Sequence, residues 1–457
     1  MNSKTIGKLW FVLSTAFLAF LYGYASHAWG WFPHRHVQQA WTAARHNVLN
    51  PSPVPLRPFA FDRTGAQGSR PDEIQSGMTL ITSAWKERGE WTVGSKLIDK
   101  DGTTVHEWLL DKEEIFTDQL DQRKEVEEQD LHGSLLLDDG HVVVNMPYVG
   151  MARVNSCGDV VWTLPEGNHH SISRAEDGSF WVPGVSSERR AGSDRFPDGY
   201  PGLNGKSVWI DRILKVSPDG TVRRDINVLD LLYANGLERY IPKTLGGLQP
   251  DPSAIPEDVT HLNDIEPLPS TIADEYPLFD AGDLVVSLRS LSLVLVFDPE
   301  TLDVKWHTSD PFIYQHDPDF VGDGWIGVFD NNYDLTPYSN PEVRGTMLGG
   351  NRIVGVQPHS DSMAVWFPTD ASEHVYTHVR GKWQQLANGN LLLTEASAGR
   401  ALEVNRQGET VWEWIHEPTE DATVPSVSNA VRHDLTREDV AQWACSSVDT
   451  TQTRGTE

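Results

Sequence analysis

From about residue 78 onward the polar and apolar positions follow one short pattern that keeps returning. An aliphatic run such as SLLL meets a Gly turn, resumes as VVVN, turns again, and gives way to a run that ends in Trp. Short apolar runs bounded by Gly, Asp and Asn predict half-buried strands joined by tight turns. The copy HGSLLLDDGHVVVNMPYVGMARVNSCGDVVWTL, His132 to Leu164, shows the pattern most plainly, and GKWQQLANGNLLLTEASAGRALEVNRQGETVWEWI, Gly381 to Ile415, repeats it. Their first turns end at Gly140 and Gly389, and their second turns hold Gly158 and Gly408, each followed four residues later by Trp162 or Trp412. Further copies run from Ser76 to Trp108, from His170 through Gly220 with an insertion around 186–207, from His261 to Trp306, and from His316 to Trp366 with an insertion around 331–348. Six units of about 35–55 residues, each of four short strands, predict an all-β six-bladed β-propeller. A sandwich would not need the repeated Gly–Gly–Trp spacing. The segment VSNAVRHDL near the C-terminus is expected to supply a closing strand, followed by a short helix.

Ahead of the repeat, Leu9 to Pro33 carries no Asp, Glu, Lys or Arg and follows Lys4 and Lys8. A helix of about 20 apolar residues spans a bilayer core, and basic residues before it favour an exported remainder. The competing reading is a cleaved signal peptide at Ser26-His27-Ala28, and the retained anchor is preferred. The expected organisation is a membrane segment over 1–35, a juxtamembrane helix and Pro-rich linker over 36–75, the propeller over 76–435 and a tail over 436–457. The acidic stretch 111–130 between the first two units reads as a solvated excursion.

Lys plus Arg total 37 against 65 Asp plus Glu, a net charge of −28. That balance argues against a nucleic-acid partner, because phosphate backbones need a basic surface. Two cysteines, Cys157 and Cys445, exclude a disulfide scaffold, a Cys₄ zinc site and a Cys-ligated cluster. Their pairing stays open, with two unpaired thiols as the default.

His132, His170 and His316 each precede the first-turn Gly of their unit by eight residues, and His261 opens its unit in the same role. The first strand of a propeller blade lines the central channel, so a shared phase would point four imidazoles at one channel mouth. The plain alternative is a histidine kept to bond a neighbouring carbonyl at the blade start. Asn263, Asp317 and Asn331 lie near these histidines, as do Arg289, Arg344 and Arg352. Gathered imidazoles can bind a metal, move protons or attack an electrophile. Guanidinium groups, planar forks matched to tetrahedral oxyanions, favour sulfate or phosphate ester chemistry. His169, next to His170, is expected to face away by strand alternation. No P-loop and no G-x-S-x-G elbow occurs, so neither a nucleotide donor nor a cofactor is indicated.

The segments HGSLLLDDG, NHHSISRAEDGSFWVPG, HLNDIEPL, QHDPDFVGDGWIGVFDNN and LANGNLLLTEASAGRALEVNRQGETVWEW resemble the bacterial arylsulfotransferase family over about 76–435. The resemblance implies an extracytoplasmic six-bladed propeller that moves a sulfuryl group from a phenolic sulfate ester to a phenol by way of a sulfated histidine. It implies His316 as an active-site histidine, His170 or His261 as an earlier channel histidine, and Arg344 or Arg352 as the arginine that follows FDN. The sixth unit departs from it: Gly381 stands in the repeat position, and His374 and His378 are out of phase. Two alternatives therefore stand beside a sulfotransferase acting through His316, His261, His170 and His132 with Arg289, Arg344 or Arg352. One is a tethered propeller that binds a ligand or protein without chemistry, and the other is a metal-dependent hydrolase using the histidines as ligands.

Overall fold

Six antiparallel sheets surround one axis, and the chain builds them in sequence order. The computed structural model describes residues 3–29, 54–110, 115–116, 130–203, 205–245, 258–334 and 345–443. They fall into two compact units that divide between Pro53 and Val54. In the first unit a single helix, Ser3–Trp29, is described, and its Thr5–Tyr24 span is long and apolar enough to cross a bilayer.

The second unit is the expected six-bladed propeller. From axis to rim, blade two is built of Gly133–Leu136, Val142–Met146, Gly150–Val154 and Val160–Leu164. Blade three starts at Ser173–Arg174, blade four at Leu262–Pro267, blade five at His316–Phe320 and blade six at Lys382–Gln385. Blade one takes its innermost strand, Val427–His433, from near the C-terminus and its outer three, Met78–Glu87, Glu90–Ile98 and Thr104–Leu110, from the start of the repeat. The ring is thus closed by pairing Val427 with Ser83 through His433 with Met78. The described part of the Pro-rich segment is extended, yet it joins the sheets: Leu56–Pro58 pairs with Thr423–Pro425, and Gly65–Gly68 is a fifth strand at the rim of blade six.

The Gly–Trp spacing has a packing reason. The outer-strand Trp of one blade donates its indole N–H to a turn carbonyl of the next: Trp108 to Gly140 at 3.2 Å, Trp162 to Pro218 at 3.0 Å and Trp412 to Lys100 at 2.8 Å. Gly220 has φ +84°, and a Cβ there would lie 2.8 Å from the Trp162 ring, so turn geometry and indole contact both demand glycine. Leu, Val and Phe of facing sheets fill the space between blades.

Cys157, in the turn between the outer strands of blade two, is disulfide-bonded rather than free. The sequence holds one other cysteine, Cys445, which lies outside the described residues. Most of the acidic stretch 111–130 also lies outside them, but Phe116 is buried in the core between blades one and two.

Strand direction sorts the connections. Each inner strand starts, each second strand ends and each fourth strand ends at the same end of the axis. The long connections 186–210, 228–261 and 331–351 therefore leave and rejoin the sheets there. The other end carries tight turns such as 137–141 and 155–159, with Leu268–Asp283 as a longer loop. Loops that carry chemistry are thus concentrated at one mouth on a rigid frame.

Candidate active site

The backbone at the blade entries decides where the imidazoles go. His132 immediately precedes its inner strand and abuts Gly133, where a Cβ would lie 2.2 Å from the carbonyl oxygen of His170 in the next blade. His170 and His261 hold left-handed backbone, φ +56° and +49°, just ahead of the inner strands of blades three and four. That conformation swings the side chain out of strand alternation and toward the axis. His316 is the first residue of its strand.

These four histidines, from four different blades, come together. The ring of His170 is 4.6 Å from that of His132, 4.9 Å from His261 and 6.3 Å from His316, centroid to centroid. His169 does not face away. Residues 168–170 precede the strand, so alternation does not apply, and the His169 ring sits 5.0 Å from His170 with Nδ1 to Nδ1 at 2.7 Å. Burial pushes His170 well below the ordinary histidine value, and the four surrounding imidazoles add to the effect. His316 is pushed well down too, by burial and then by the charge of Arg289. Both rings are therefore neutral at neutral pH.

Second contacts fix tautomers. Asn331 donates its amide N–H to Thr377 O at 3.1 Å and Arg380 O at 2.8 Å, so its Oδ1, 2.6 Å from His316 Nδ1, must accept. His316 then carries its proton on Nδ1 and leaves Nε2 as a lone pair. His261 Nδ1 is hydrogen-bonded to the Asp258 carboxylate, which also accepts from the His261 backbone N–H at 3.1 Å.

Arg289 follows the second strand of blade four at the same mouth, with its guanidinium 4.6 Å above the ring of Tyr314. Tyr314 lies 5.2 Å from Tyr333, and Tyr148 lies 4.8 Å from His169. Burial lowers the basicity of Arg289, opposed by Tyr314 and Asp258. A half-buried cation, neutral imidazoles and aromatic walls suit an anionic aryl ester.

The remaining sequence-named residues are placed as follows. Arg352 donates to Asp330 Oδ2, at 3.0 Å from Nε, and to Pro311 O at 3.0 Å, pinning the inserted segment of blade five. Arg344 lies outside the described residues. Asn263 donates to Gln315 O at 2.9 Å and bridges blades four and five. Asp317 belongs to a second cluster along the inner strands, where Lys382 Nζ meets Asp317 and, at 2.7 Å, Asp264. Burial is the main cause that raises Asp317 to about 7 and Glu266 to about 8. His378, out of phase in the sequence, lies 3.3 Å from Ser397 Oγ.

Unit six places Arg380, one residue before the repeat position, in the left-handed backbone, φ +61°, that His170 and His261 hold in blades three and four. Arg380 makes a bidentate pair with Asp130, at 2.6 and 2.9 Å, from the entry to blade two. Blades six and two are not neighbours, so this pair bridges across the inner end of blade one. Sequence reasoning missed Arg380, Lys382, Asp211, Asp258 and the tyrosines, none of which has a repeat phase. Among the described residues, no group of three or more His, Cys, Asp or Glu has the arrangement to hold a metal ion.

The profile of the arylsulfotransferase family (ASST) matches residues 133–417. No curated protein matches. Similar solved structures include a protein of unknown function from Bacteroides caccae, at 14% identity and TM-score 0.45, covering 74% of this chain and 94% of that one. A streptogramin B lyase is similar at 10% identity and TM-score 0.38, covering 82% and 95%. A catalytically inactive virginiamycin B lyase from Staphylococcus aureus, with quinupristin, is similar at 11% identity and TM-score 0.36, covering 78% and 89%. The chain belongs to the arylsulfotransferase family.

Proposed function

We propose that this arylsulfotransferase-family propeller moves a sulfuryl group from a phenolic sulfate ester to a phenol acceptor through the histidines at its axial mouth, without a nucleotide donor. The observation that carries the reading is the meeting of His132, His170, His261 and His316 around one point, with Arg289 half-buried at the same mouth.

The chemistry follows from the groups present. Arg289 offers its fork to the sulfate oxygens and offsets the charge that builds on them as sulfur is attacked. A neutral imidazole Nε2 supplies the electron pair. The N–S bond forms, the S–O(aryl) bond breaks, and the phenolate takes a proton from a neighbouring imidazolium. His261, whose Asp258 carboxylate would balance a second proton on Nε2, is the residue suited to give that proton and become neutral. In the second half the acceptor phenol returns a proton to His261 and attacks sulfur, and the imidazole lone pair is restored. The aromatic walls of Tyr148, Tyr314 and Tyr333 hold the aryl ring. His132 and His316 complete the polar shell, while Arg352, Asn263, Asp317 and Asn331 hold the shell in place. The N-terminal helix is assigned as a membrane anchor, with the propeller on the extracytoplasmic side.

The test is to incubate the purified propeller with a chromogenic aryl sulfate, with and without a phenol. Phenol-stimulated release of chromophore together with a new sulfated phenol is expected. No release with any of a panel of aryl sulfates would reject the reading.

A further inference from the structure

We propose that His169, held by Asp211, is a positioning residue that fixes the tautomer of His170 and makes His170 Nε2 the atom that takes the sulfuryl group. The inference rests on the sulfuryl-transfer reading above and assigns within it the nucleophile and the pair of residues behind it.

The argument starts at Asp211, on blade three. One carboxylate oxygen is committed: Oδ2 accepts from Thr260 Oγ1 and, at 2.8 Å, from the Leu262 backbone N–H. The other, Oδ1, faces His169 Nε2 at 3.5 Å. A carboxylate oxygen opposite an imidazole nitrogen in a buried site repels a lone pair and attracts an N–H. His169 is 1% exposed, so water does not compete. His169 therefore carries its proton on Nε2, and its Nδ1 is a lone pair.

That lone pair lies 2.7 Å from His170 Nδ1. One proton must lie between the two nitrogens, and with His169 Nδ1 as acceptor it belongs to His170. His170 Nε2 is then unprotonated, and among the described residues it has no hydrogen-bond partner. It sits on the ring that touches His132, His261 and His316 together.

The relay also distinguishes His170 from the other candidates. Sulfation at Nε2 makes the Nδ1–H of any imidazole more acidic. In His316 that proton faces the Asn331 amide oxygen, which cannot take it. In His170 it faces a neutral imidazole that can, and whose resulting charge Asp211 would balance. As the N–S bond forms, the proton shifts from His170 Nδ1 to His169 Nδ1, and it returns when the acceptor removes the sulfuryl group. No outside reactant beyond donor and acceptor is needed.

The test uses the full chain and an aryl sulfate donor without acceptor, followed by peptide mass mapping of the modified histidine and stopped-flow of the first phenol released. Sulfation at His170 is expected. His169→Leu should slow the burst by about 100-fold, as expected for a mis-set reacting group. His169→Asn, whose side-chain oxygen can accept from His170 Nδ1 and set its tautomer but cannot take its proton, should recover only part of it. Thermal unfolding of both variants separates loss of the relay from loss of the fold. Sulfation at His316, His261 or His132, or a normal burst in a folded His169→Leu protein, would overturn the inference and leave sulfuryl transfer standing. Absence of both burst and adduct in the unaltered protein would reject the transfer reading itself.

Discussion

Asn331 ties His316 to the next blade: its Oδ1 accepts from His316 Nδ1 at 2.6 Å while its N–H groups reach Thr377 O and Arg380 O. One side chain thus sets an imidazole tautomer and clasps a blade joint. Asn331→Asp keeps an acceptor for His316 but turns two clasping donors into a charge facing carbonyls. Asn331→Leu removes both functions. We expect both to lower turnover, by about 100-fold for Leu. Aryl sulfate turnover, compared with unfolding midpoints, checks this: an unchanged rate in folded Asn331→Leu would show that the contact is idle.

The two described arginines named from the sequence should separate by phenotype. Arg289 lies at the mouth against Tyr314, and Arg352 is bonded to Asp330. Arg289→Lys keeps a charge but loses the planar fork, and should cost roughly 2–4 kcal/mol of transition-state stabilisation. Arg352→Ala should instead cost about 1–3 kcal/mol of stability by leaving the buried Asp330 short of a partner. Paired kcat/KM and denaturant measurements on both variants decide it.

Lys382 is the cation shared by Asp264 and Asp317. Lys382→Met would leave two buried carboxylates facing each other, and removing one partner of a buried pair costs about 3–5 kcal/mol. A triple variant, Lys382→Met with Asp264→Asn and Asp317→Asn, should recover part of that loss. Urea denaturation of the two proteins reads the difference, and equal stability of Lys382→Met and the unaltered chain would contradict the cluster's role.

The share of stability that His416 and His433 contribute should fall on acidification, against the opposite slope of Asp317 and Glu266, which burial raises to about 7 and about 8. Burial lowers both His416 and His433 to about 4, from an ordinary 6.5. Between those values each of these two imidazoles binds more proton in the unfolded chain than in the folded one, so their contribution to stability rises with pH. The contribution is full above about pH 6.5 and is lost as pH falls toward 4, on the order of 3 kcal/mol per group at the limit. His416→Gln, which can still donate to Ala84 O, should flatten its share of the slope. The difference in unfolding free energy between the unaltered chain and His416→Gln, followed across that range, tests the sign.

The repeat itself determined the architecture. Gly turns and outer-strand Trp residues recur along the chain, and the indoles of Trp108, Trp162 and Trp412 each reach a turn of the next blade, as Trp108 reaches Gly140. The phase of His132, His170, His261 and His316 placed them at one end of the inner strands, since equivalent positions on a closed ring become neighbours. What the sequence could not supply was direction and partner. His169 was expected to face away, but the chain there has not yet entered a strand and His170 holds left-handed backbone, so both rings turn inward. Arg380 and Asp130, 250 positions apart, meet only because the ring closes. Asp211, Asp258 and Lys382 carry no repeat signal. Their roles come from burial, which makes a few ångströms decide which nitrogen holds a proton, and such distances belong to the folded chain alone.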